Sequence, residues 1–134
     1  PSMKLKTLLL LQLAYAVMGV GYNVLSYLSV ASGGQAFSAT APLTGGLSLT
    51  LYALCLVPGY LGYTGIYRVL MLLSIVVFGY GGIVKHLLNY PDGLGIYSSM
   101  TAYVLAIGIN VFGLALNALA AAGRFDAGAG ESAR

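Results

Sequence analysis

Lys85 and His86 stand side by side near the end of a long apolar run, and Asp92 follows a few residues later. These three positions combine an amine, the only imidazole of the chain and a carboxyl group. Such side chains bind metals and transfer protons, so His86 could serve as a metal or haem ligand, as a proton relay or as a general base. Each of these roles requires a second chemical group close to His86, such as an acid, a second metal ligand or a nucleophile.

The apolar runs do not supply that second group. The chain has three acidic residues, and none of them lies within an apolar run. Cys55 lies within one, but it is the only cysteine and has no second thiolate with which to share a metal or a disulfide. We therefore interpret Lys85, His86 and Asp92 as an outer-surface cluster at the end of a membrane helix, and we predict no catalytic residue, no cofactor and no metal.

Neutral hydrogen-bonding side chains recur within the apolar runs, where most of them belong to stripes that alternate with small residues at steps of three and four. The candidates are Gln12, Tyr15, Tyr22, Asn23, Tyr52, Tyr80, Tyr103, Asn110 and Asn117. Such spacing places side chains on one face of a helix. Because lipid offers no hydrogen-bond partners, we expect these residues either to form the helix interfaces or to line a path for a neutral solute.

Four long apolar runs must position these side chains. The chain is 59% hydrophobic and only 7% charged, whereas a soluble domain has about 25% charged residues. The predicted spans are 7–30, 43–63, 67–88 and 98–122, each near or above the roughly 20 residues that cross a bilayer as a helix. The sequence therefore predicts an all-α, polytopic membrane protein with four transmembrane helices in an antiparallel bundle.

The domain organisation follows from these spans. We expect the natural chain to begin at Met3 and residues 3–123 to form a single transmembrane domain. Residues 124–134 are small and polar, which predicts a disordered cytoplasmic tail. Pro58 cannot donate a backbone hydrogen bond, so we expect a kink in the second helix.

Each helix carries a stripe of small and polar residues that predicts its inward face. On the fourth helix this stripe is Tyr103, Ala106, Asn110, Gly113 and Asn117. On the third helix the expected inward stripe is Met71, Ser74, Phe78, Gly81 and Lys85. On the fourth helix a ladder at steps of four residues is expected to meet a partner: Ser98, Ala102, Ala106, Asn110, Leu114, Ala118 and Ala122. Tyr67 and Tyr97 are expected at the inner and outer membrane interfaces, as members of an aromatic belt.

The basic residues predict the orientation. With a cytoplasmic N-terminus and four spans, every Lys and Arg except Lys85 falls on the cytoplasmic side. Both termini are therefore expected in the cytoplasm, and the bilayer is expected to be a bacterial inner membrane. The basic residues form no clustered patch, so no nucleic-acid partner is predicted.

Three functional interpretations remain open from the sequence. The first is a non-enzymatic membrane protein that self-associates or serves as an accessory subunit of a membrane complex, with the lipid bilayer and another membrane protein as partners. The second is a small channel or transporter for a neutral or hydrophobic solute. The third is a membrane enzyme or quinone-binding subunit that uses His86.

Overall fold

The computed structural model describes residues 2–89 and 97–128, and helices make up most of them. In chain order the elements are β1 (Met3–Lys4), α1 (Leu5–Ala31), α2 (Pro42–Leu54), α3 (Val57–Tyr60), α4 (Thr64–Gly79), a π-helical segment (Tyr80–Val84), α5 (Lys85–Asn89), α6 (Met100–Ala121) and β2 (Phe125–Asp126). Since α4, the π-helical segment and α5 follow one another without a break, they form one continuous rod.

Four helical stretches are long and apolar enough to span a membrane: Leu5–Ala31, Pro42–Tyr60, Thr64–Asn89 and Met100–Ala121. This confirms the prediction of an all-helical chain with four such helices. The ends lie within three residues of the predicted ones. The largest differences are at the end of the second stretch, which is Tyr60 instead of residue 63, and at the start of the third, which is Thr64 instead of residue 67. Each stretch exceeds or nearly reaches the roughly 20 residues required.

The second stretch is interrupted between α2 and α3, on the N-terminal side of Pro58. The amides of Cys55 and Leu56 donate to the carbonyls of Tyr52 and Ala53, which are tight, three-residue hydrogen bonds. Pro58 has no amide proton for the carbonyl of Leu54, and its ring crowds the preceding turn. The interruption therefore has the cause expected from the sequence.

The core lies around α1, which packs against both α2 and α6, while α4 packs against α6. Two glycines permit the close approaches. A Cβ atom at Gly19 of α1 would collide with the side chain of Leu49 on α2, and one at Gly113 of α6 would collide with the ring of Tyr15 on α1. The ring of Tyr15 leaves room only for glycine at Gly113, whereas a Cβ atom at Gly19 would require the end of the Leu49 side chain to move.

The first and last described elements, β1 and β2, lie together at one end of the molecule. β1 and β2 form a two-residue parallel pair, with Met3 opposite Phe125 and Lys4 opposite Asp126. Phe125–Asp126 thus form a strand within the segment predicted as a disordered tail; residues 129–134 of that tail lie outside the described residues. At the same end, the Arg68 Nε atom donates to the carbonyl of Ala121 at 3.1 Å.

Gly113→Ala is expected to destabilise the protein by about 1–3 kcal/mol, since the added methyl group collides with a ring that has no room to move. The Tyr15 ring contacts the rings of Tyr52 and Phe78 edge to face, at centroid distances of 5.2 and 6.5 Å. Unfolding in a denaturing-detergent titration measures the effect. Gly21→Ala is the control, because nothing lies within 4 Å of its added Cβ atom. Equal stability of the two variants would contradict the packing described.

Candidate functional site

A buried hydrogen-bonded network joins all four long helices, and its centre is Gln12 of α1. Gln12 is 0% exposed. Its Nε2 atom donates to Asn117 Oδ1 of α6 at 3.1 Å and to the sulfur of Met71 of α4 at 3.2 Å. Its Oε1 atom accepts from the hydroxyl of Tyr67, also of α4. Tyr52 of α2 completes the network by donating to Asn117 Oδ1 at 2.6 Å.

We call these five residues the Gln12 network. All are buried, and their groups are neutral amides, phenols and a thioether. In an apolar interior, an amide without partners costs several kcal/mol, so each member fixes the position of the next. The network specifies how the four helices align.

A second set of bonds lies further along α1. The Tyr15 hydroxyl donates to Asn110 Oδ1 at 3.2 Å, and Asn110 Nδ2 donates to the carbonyl of Ala106 at 2.8 Å. Tyr22 donates to the carbonyl of Ala102 at 2.8 Å, and Asn23 donates within its own helix to the carbonyl of Gly19. The bonds of Tyr15 and Tyr22 therefore link α1 to α6 at two positions.

Two of the predicted polar residues do not join these sets. Tyr80 is 62% exposed and lies on the outer surface of the bundle. Tyr103 is half-buried and packs edge to face against the ring of Tyr97, with centroids 4.9 Å apart. The structure therefore gathers seven of the nine predicted residues inside the bundle and separates Tyr80 from them.

His86 is not at the surface, in contrast to the position expected from the sequence. It is 2% exposed, and its Nδ1 atom lies 2.7 Å from the hydroxyl of Tyr97. Tyr97 is buried as well, and burial raises the pKa of its phenol, which keeps the hydroxyl protonated. Lys85 is exposed, and the third member of the predicted cluster, Asp92, lies outside the described residues.

The π-helical segment explains this difference. A π turn inserts one extra residue into an α-helix, so every later residue is displaced by one position around the axis. The buried positions of this continuous helix are Thr64, Tyr67, Met71, Ser74, Gly82 and His86, with half-buried Phe78 between Ser74 and Gly82. The predicted stripe matches as far as Phe78; beyond it, the inward residues are Gly82 and His86 in place of Gly81 and Lys85.

Two buried tyrosines were assigned to the membrane interfaces from the sequence. Tyr67 belongs to the Gln12 network and Tyr97 binds His86. Tyr67 precedes Met71 by one helical turn, so extending the predicted stripe backward would have identified it. No periodic signal was available for Tyr97, because it precedes α6.

A pocket of about 190 Å³ lies between the helices on the side of His86. Its walls come from α2, through Thr44, Ser48 and Leu49, and from the rod. α1 and α6 contribute further wall residues, among them Asn23 and Asn110. Both Lys85 and His86 line it. We call it the Lys85 pocket.

The chain matches no protein-family model, no curated protein and no solved structure. Its function is therefore argued from the contacts and surfaces described above.

Tyr67→Phe is expected to destabilise the protein by about 1 kcal/mol, because the Oε1 atom of Gln12 loses its donor in a buried site. The matched control is Tyr60→Phe, since Tyr60 is 52% exposed and its loss of a hydroxyl should cost almost nothing. Thermal unfolding in detergent measures both. If the two variants unfolded at the same temperature as the unchanged protein, the network would not hold the helices in register.

Proposed function

We propose that the chain is an integral membrane protein whose four helices cross the bilayer as an antiparallel bundle. Its outer surface supports this proposal. Large apolar side chains are exposed on every long helix, for example Leu10 of α1, Leu47 of α2, Val76 of α4 and Val104 of α6. Polar side chains such as Gln12 are enclosed instead, and this inverted arrangement is favourable only when lipid is the solvent.

We infer that both termini lie on the cytoplasmic side of a bacterial inner membrane. Lys4, Arg68 and Arg124 lie at the end of the molecule where β1 and β2 pair and where Arg68 contacts the last turn of α6. Lys85 follows Arg68 by about 25 Å of helix, at a rise of about 1.5 Å per residue. The charge asymmetry between these two ends supports the orientation, because basic residues favour the cytoplasmic face.

We propose that the protein acts without catalysis, by self-association in the membrane through one face of α6. This face, the α6 outer face, is exposed over its whole length and carries only small or β-branched residues. Its members alternate at steps of three and four: Thr101, Val104, Gly108, Val111, Ala115, Ala118 and Ala122. Such stripes allow two membrane helices to approach closely.

Gly108 is the observation that carries this proposal. Glycine inside a helix is unfavourable by about 1 kcal/mol relative to alanine. No atom lies within 4 Å of a Cβ added there, so packing within the chain does not require glycine at this position. A second copy packed against the α6 outer face would require it, since the two backbones would meet there.

The α6 outer face replaces the ladder expected from the sequence. Ala102 and Ala106 of that ladder are buried inside the chain, against its own helices. Ala118 and Ala122 belong to both stripes and are exposed. The ladder therefore serves internal packing at its start, and the α6 outer face, which diverges from the ladder toward the start of the helix, remains for a partner.

Gly108→Leu is expected to weaken self-association about tenfold, because the larger side chain separates the two backbones and removes van der Waals contacts. Subunit counting by single-molecule photobleaching in liposomes, over a range of protein-to-lipid ratios, measures the change. Gly21→Leu is the control, since Gly21 also has no neighbour within 4 Å of an added Cβ atom but lies on α1. A protein that is monomeric at every ratio, or one in which both substitutions act alike, would refute the proposed face.

A further inference from the structure

The Lys85 pocket contains a positive charge that no residue of the described chain neutralises. Among the lining residues that the structure describes, Lys85 is the only charged side chain and none is a carboxylate. Among residues 2–89 and 97–128, Lys85 forms no ion pair. A cation at the rim of a partly apolar cavity attracts an anion into it.

His86 supplies a second group for the same ligand. Its Nδ1 atom is engaged by Tyr97, and no described residue bonds to its Nε2 atom. Within the described residues, no fully enclosed side-chain nitrogen or oxygen lacks a hydrogen-bond partner. His86 lines the Lys85 pocket, so a ligand in the pocket contacts the imidazole ring. The Tyr97 hydroxyl lies 2.7 Å from Nδ1 and 3.5 Å from the backbone carbonyl oxygen of His86. In the tautomer in which Tyr97 donates to the nearer atom, Nδ1, the imidazole proton lies on Nε2.

The start of α2 adds to the positive potential. Thr44 and Gly45, in its first turn, line the pocket. Ala41, which precedes the helix, offers no side-chain cap for the free amides. The amino end of a helix carries a partial positive charge that favours negative groups. The Ser48 hydroxyl, one turn further along, also lines the pocket and provides another donor.

The other residues of the pocket determine which apolar part a ligand can carry beside an anionic group bound by Lys85. Leu49, Phe78 and Ile109 face the pocket with apolar surface. A cavity of about 150 Å³ holds benzene, so 190 Å³ accommodates one aromatic ring and a small head group. A phosphate monoester, which carries up to two negative charges, fits a site with one lysine less well than a carboxylate does.

We propose that the Lys85 pocket binds a small aromatic monocarboxylate. Lys85 and the Nε2 atom of His86 hold the carboxylate, and Leu49, Phe78 and Ile109 enclose the ring. The residues named here belong to one chain, so the proposal does not depend on self-association. It replaces the neutral solute expected from the sequence with an anionic one, because the π-helical segment brings His86 into the pocket beside Lys85.

The test uses 4-fluorobenzoate and its neutral isostere 4-fluorobenzamide, each titrated against the full chain in maltoside micelles and followed by fluorine NMR. The carboxylate is expected to bind at least tenfold more tightly than the amide, because hydrogen bonds to a charged group contribute about 1.5–3 kcal/mol. Protein-free micelles correct for partition of each compound into detergent. Equal binding of the two compounds, or binding no greater than to empty micelles, would overturn the proposal.

Two substitutions locate the site. Lys85→Gln, at an exposed position, is expected to weaken 4-fluorobenzoate about tenfold and leave 4-fluorobenzamide unchanged, whereas Lys6→Gln removes an equal charge elsewhere and should change neither. Ser48→Leu fills the pocket and is expected to abolish binding of both. Unaltered 4-fluorobenzoate binding in Lys85→Gln would refute the assignment. A monomeric protein that binds as expected would refute self-association only.

Discussion

The need of buried polar groups for hydrogen-bond partners is the constraint on which the rest of the structure depends. Gln12 carries the clearest case, because its amide is fully enclosed and each of its polar atoms has a partner on another helix. Each bond contributes only about 0.6 kcal/mol on average in a membrane protein. A misaligned helix would leave several groups unpaired at once. The network therefore contributes little net stability but specifies a single alignment of the four helices.

Glycines and small residues divide between two tasks. Gly19 and Gly113 face inward and let α1 approach its neighbours, where a methyl group would collide with Leu49 or Tyr15. Gly108 faces outward and has no such reason within the chain. The same residue type thus supports folding on one side of α6 and, in our proposal, association on the other.

Sequence periodicity could predict the four helices, because their apolar length is a property of local composition. It could also predict that Gln12, Tyr52 and Asn117 turn inward, since polar groups avoid lipid. It could not predict the position of His86, because the π-helical segment shifts the register of all later residues by one. The burial of Tyr97 could not be predicted either, because its contact with His86 is tertiary and produces no periodic pattern in the sequence. The Lys85 pocket depends on the position of His86 and on this contact.

The most direct test of the account is the side of the membrane on which each end of the bundle lies. In a Cys55→Ser background, single cysteines at Ser32→Cys, in the exposed turn after α1, and at Arg68→Cys, near the start of α4, can be labelled with an impermeant maleimide in intact cells. We predict that the first reacts at once and that the second reacts only after the membrane is opened. Reaction of both in the same compartment would contradict the transmembrane bundle and, with it, the reason for enclosing Gln12.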